Sequence, residues 1–163
     1  MLPITVYLIA SMGIVLWLDV TRYIIPNWLV ASLLLLYPLA IYLSPVSVDW
    51  LMALAGMGII FAVGFALFAF RFVGGGDIKL LTVLALWVGW ALLVDYMVLV
   101  TLLGGVLSVV LYVLRKLLRY VPKKKERPRI LRDGEPVPYG VAIAFAMLYF
   151  IWSGQIELLP AVK

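Results

Sequence analysis

The sequence predicts an all-α, polytopic membrane protein with about six transmembrane helices. Three observations carry that prediction. Hydrophobic residues make up 66% of the 163 positions, more apolar surface than a soluble domain of this size can hide. They fall into six segments, about 3–18, 28–43, 50–70, 78–94, 96–114 and 138–154, several near the lower limit of the roughly 17–25 residues that a spanning helix needs. Turn-forming residues separate most of them, and a helix in lipid satisfies its own backbone donors and acceptors.

The first segment starts at Met1-Leu2-Pro3-Ile4. With no basic residues ahead of its apolar run, it is not expected to be a cleaved signal peptide. It ends at Trp17-Leu18-Asp19-Val20, and Pro26-Asn27 shapes the loop to the second segment, with Asn27 placed to cap it. Ser44-Pro45 breaks the chain before the third, where Asp49 reads as a solvated cap. The fourth opens on Gly74-Gly75-Gly76-Asp77, and only Asp95-Tyr96 divides it from the fifth. Small residues at Ala62 and Ala66, and at Gly104, Gly105 and Ser108, suit close helix packing. A polar stretch, about 115–137, holds the turn pair Asp133-Gly134, which reads as part of a small hairpin. The sixth segment opens at Pro138-Tyr139-Gly140. A single domain over 1–163 is expected.

The basic residues set an orientation. Arg22 lies in the first connection, Arg71 and Lys79 flank the third, and nine more, from Arg115 to Arg132, lie in or beside the fifth. Twelve of the 13 therefore share one side if six spans are drawn. Both termini are then expected outside, with loops one, three and five in the cytoplasm. Asp19 and Asp77, acidic residues that carry no weight in a rule of basic charges, both fall at the cytoplasmic ends of their segments.

The chain has no cysteine and no histidine. Disulfides, Cys/His metal sites and Cys–His or Ser–His nucleophiles are excluded. No metal or cofactor is expected, and proton chemistry falls to carboxylates, Lys, Tyr or water. An ionisable group at a membrane boundary is costly and points to function. Asp77 has two readings: an N-cap on a membrane helix, or one member of a reactive pair. Asp19 likewise could be a boundary anchor paired with Arg22 at i+3. Asp49 and Asp95 lack a glycine-rich frame and are assigned no chemistry. Two carboxylates brought together cannot both ionise easily, so they share a proton. One can then serve as base toward a water while the other donates to a carbonyl.

Three motifs appear in order: Asp19-Val20-Thr21-Arg22-Tyr23-Ile24-Ile25-Pro26-Asn27, Gly74-Gly75-Gly76-Asp77-Ile78-Lys79 and Pro138-Tyr139-Gly140-Val141-Ala142. Here the chain resembles the type IV prepilin peptidases, membrane aspartic proteases with a Gly-x-Gly-Asp motif. The likeness is greatest to the short branch associated with tight-adherence (Flp-type) pili. It implies that Asp19 and Asp77 are the catalytic pair, with Gly74, Gly76, Lys79, Arg22, Pro26 and Asn27 as supporting motif residues. The implied substrates are prepilin or pseudopilin precursors at the inner membrane, cut after the terminal glycine of a short basic leader. Long members of the family carry a further cytoplasmic domain, often with zinc-binding cysteines, and N-methylate the product. This chain shows neither, so zinc and methyltransferase activity are not expected.

Lys79 stands at i+2 from Asp77 and should point elsewhere, either snorkelling or meeting a lipid phosphate or a substrate carboxylate. The run Lys123-Lys124-Lys125-Glu126-Arg127-Pro128-Arg129 should attract anionic lipid headgroups, at about 1 kcal/mol per basic residue near the surface. Without a folded framework or an aromatic platform it is not read as a nucleic-acid site. Two rivals share some of these features. Presenilin- and signal-peptide-peptidase-like proteases use Gly-x-Gly-Asp, but with Tyr-Asp and Pro-Ala-Leu motifs, where this chain has Leu18-Asp19 and Pro138-Tyr139. A small proton- or cation-coupled transporter would want midplane acids and an inverted repeat, and neither is seen.

Overall fold

The computed structural model describes residues 2–118 and 128–156 and is helical throughout its regular structure. Six α-helices follow in order: α1 Leu2–Arg22, α2 Asn27–Leu43, α3 Trp50–Ala69, α4 Gly75–Val88, α5 Leu93–Leu118 and α6 Tyr139–Trp152. Helices α1, α3 and α5 are long and apolar enough to cross a membrane, and α2 and α6 are shorter apolar helices. The basic run 123–127, Arg119, Glu157 and Lys163 lie outside the described residues.

Helix α4 forms the centre. Every residue from Thr82 to Val88 is buried, as expected of a helix that is apolar all round. It packs against α3, α2 and α6. The Trp87 indole N–H donates to the Leu33 carbonyl of α2 at 3.2 Å, and its ring meets Tyr37 edge-on at 5.5 Å. Helix α6 in turn packs against α1 and α5. There the buried Tyr96 hydroxyl donates to the Ile143 carbonyl at 3.2 Å. Helix α3 buries only Ala53 and Gly56, so most of its surface is left for lipid.

Several sequence expectations need correction. The break between the fourth and fifth segments falls at Gly89, whose φ of 75° suits only glycine easily, and not at Asp95-Tyr96. The apolar Trp90-Ala91-Leu92 concealed that turn, and Asp95 lies in the first turn of α5. Ala62, Ala66 and Gly105 are exposed and do not mediate packing. Close approach is made by Gly104 under the Tyr139 ring, by Gly56 against Leu93, and by Gly64, where an added Cβ would stand 2.7 Å from Ile78. Asp133-Gly134 does form a turn, with Gly134 at φ 85°. No strand flanks it among the described residues, so there is no hairpin.

Instead, the chain ahead of α6 makes a 3₁₀ turn, Arg129–Leu131, and folds back onto α5. Arg115 donates to the carbonyls of Ile130 at 3.0 Å, Glu135 at 2.6 Å and Pro136 at 3.0 Å. Arg129 pairs with Glu135 at 3.2 Å and lies 5.1 Å over the Tyr23 ring. This strap fixes where α6 begins.

Candidate active site

Asp19 lies in the last turn of α1, which ends at Arg22, and is 4% exposed. It does not pair with Arg22. Its carboxylate accepts the Val141 backbone N–H at 3.2 Å, from the first turn of α6. That helix starts on Pro138, whose side chain makes no cap hydrogen bond. The orphan donors of a first turn are thus partly met by an acid 122 residues away in sequence. After Asp19 the helix closes with Tyr23 at φ 56°, its N–H donating to the Asp19 carbonyl at 3.0 Å. This is a left-handed C-terminal turn.

Asp77 is the third residue of α4, and the N-cap is Gly74. The plain N-cap reading is therefore wrong in position. The Asp77 carboxylate reaches back toward the Gly74 backbone, and a Cβ added at Gly74 would be 2.9 Å from its Oδ2. An acid at this position normally turns back to the cap N–H in the same way. The chain enters α4 from a tight end to α3. Phe72 N–H donates to the Leu67 carbonyl at 2.9 Å and Arg71 N–H to the Phe68 carbonyl at 2.8 Å, with Arg71 at φ 61°. These are the two bonds of a Schellman motif. The glycines serve close approach: a Cβ at Gly75 would be 3.2 Å from the Phe68 ring, and one at Gly76 3.4 Å from Ile25.

Both acids line one cavity of about 840 Å³ at this end of the bundle. Gly74 and Gly76 share the lining, with Tyr23, Phe68, Arg71 and Tyr139 among the residues that sequence reasoning had not assigned. Tyr23 carries a buried hydroxyl with no partner among the described residues. Burial, and then the Glu135 charge, push its phenol above the ordinary value. Arg22, Pro26, Asn27 and Lys79 lie outside the lining. Pro26 is the N-cap of α2, so Asn27 does not cap that helix. Its side-chain oxygen accepts from Lys79 Nζ at 3.1 Å, which ties the start of α4 to the start of α2. Lys79 thus has a protein partner, which the sequence did not suggest.

A polytopic helical membrane protein with two carboxylates on one terminal cavity is the class defined by this fold and site. The chain belongs to the type IV leader peptidase family, whose model matches residues 6–112. The match runs from α1 into α5 and contains both acids, but not α6. No curated protein and no solved structure matches the chain.

Proposed function

We propose that this leader peptidase is a metal-independent aspartic endopeptidase in which Asp19 and Asp77 are the catalytic residues. The observation that carries the reading is that two acids from separate helices line one cavity at the same end of the bundle. A water held between one ionised and one protonated carboxyl attacks the scissile carbonyl. The ionised group takes the water's proton, and the protonated group gives its own to the carbonyl oxygen. The tetrahedral intermediate then collapses. Its C–N bond breaks as the leaving nitrogen takes a proton from the group that acted as base, and a hydroxyl of the intermediate returns a proton to the other carboxyl, which restores the pair.

The substrates are prepilin- or pseudopilin-type precursors, whose short basic leader lies in the cytoplasm ahead of a hydrophobic helix. The charge distribution supports placing both acids at the cytoplasmic face of the inner membrane, with the termini outside. The loop from about 115 to 137 then faces anionic headgroups. The family match favours this reading over the presenilin-like and transporter rivals. In the full chain reconstituted in lipid, Asp19→Asn and Asp77→Asn should each lower precursor cleavage by about 10²–10⁴-fold, with helix content and thermal unfolding unchanged. Asp95→Asn should cleave normally. Wild-type turnover by either site variant ends the proposal.

A further inference from the structure

We infer that the first turn of α6, and Gly140 above all, is the seat that positions Asp19 for the reaction. The inference rests on the reading of Asp19 as a catalytic residue. It concerns a helix that lies beyond the residues matched by the family model.

The Val141 N–H that Asp19 accepts is shared with the Pro138 carbonyl, also at 3.2 Å. The Gly140 backbone also lies against the Asp19 carboxylate. A carboxylate here meets the positive end of the α6 dipole. The approach depends on a missing side chain. A Cβ at Gly140 would stand 2.7 Å from Asp19 Oδ2, 3.0 Å from its Cγ and 3.1 Å from Ile25 Cδ1. Asp19 sits in the last turn of α1 and is itself buried, so the carboxylate must leave the seat to make room. Gly140 is not there for its backbone angle, because its φ is not positive.

That last fact makes the inference testable. Gly→Ala inside a helix ordinarily stabilises it. Here the same change should leave the fold intact and remove the chemistry. Gly140 is a positioning residue, acting through Asp19, so its effect belongs in kcat and not in KM.

The experiment measures cleavage of a leader-bearing precursor by the reconstituted full chain. The expected result for Gly140→Ala is a fall in kcat of about 100-fold, KM within threefold of wild type, and a protein that still folds cooperatively, at a lower unfolding temperature because the new methyl crowds Asp19. Gly105→Ala, where nothing lies within 4 Å of the added Cβ, should keep wild-type kcat. A kcat for Gly140→Ala within threefold of wild type overturns the inference, and so does an equal rise in KM that accounts for the loss. Should Gly140→Ala not accumulate as folded protein, Val141→Pro decides. It deletes the donor N–H at a first-turn position where proline is tolerated, and full activity in that variant overturns the seat. Asp19→Asn runs alongside. If it is active, the catalytic reading itself fails. If it is inactive while Gly140→Ala is active, only the seat fails.

Discussion

Asp19 and Asp77 face the same cavity from two differently built halves of the bundle. Asp77 belongs to the α3–α4 pair, and most of what shapes its seat is near it in sequence: the Schellman turn at Arg71, the Gly74 cap and the glycine run, with Ile25 against Gly76 as a remote contact. Asp19 belongs to the α1–α6 pair. Its hydrogen-bond donor comes from the other end of the chain and is presented there by a strap that Arg115 and Arg129 hold in place. A local seat forms with its own helix. A remote seat exists only once α1, α5 and α6 have packed.

The difference explains what the sequence disclosed. Asp77 was conspicuous because its glycines stand beside it. The helical fold was equally plain, since period and turn residues are local signals. Asp19 looked like a boundary anchor, and its pairing with Val141 could not be read from spacing. The only trace was Pro138 ahead of Gly140, a helix start with no capping side chain of its own. Helix-to-helix contacts failed for the same reason. Small residues at Ala62 and Ala66 resembled a packing face, but the contacts fell on Gly56 and Gly64, which differ only in what lies opposite. The expected Asp95 break failed because an acid is a louder signal than Gly89 within an apolar run.

If the halves meet in one reaction, the largest test is additivity. Asp19→Asn combined with Asp77→Asn should cleave no more slowly than the worse single variant, since residues that act as a unit are grossly non-additive. Losses that multiply would mean that the two seats serve separate steps. Single-turnover rates of precursor cleavage by the three variants distinguish these outcomes.

A smaller effect should come from loosening one half alone. At Gly64→Ala the new methyl meets Ile78 Cγ2, beside Asp77, at 2.7 Å. Overpacking of this kind costs about 1–3 kcal/mol. The variant should unfold several degrees lower, by about 2–10 °C, while folded molecules keep most of their turnover, because the Asp77 seat travels with its own helix. A selective loss of kcat with unchanged stability would show instead that the α3–α4 half is as position-sensitive as the Asp19 seat.

The smallest effect should come from the link between the starts of α2 and α4. Lys79 Nζ and Asn27 Oδ1 are 3.1 Å apart, but both residues are exposed, and such a bond competes with water on both sides. A typical net value is about 0.5–1.5 kcal/mol, and exposure reduces it further. Lys79→Met should therefore keep kcat within about threefold and leave the unfolding temperature nearly unchanged. Both residues sit in motifs that flank a site acid, which makes this a demanding comparison: motif membership predicts a large loss, geometry a small one. If Lys79→Met abolishes cleavage while Asn27→Ala does not, Lys79 acts on the substrate and not on Asn27. The local half would then hold a functional cation outside its cavity lining.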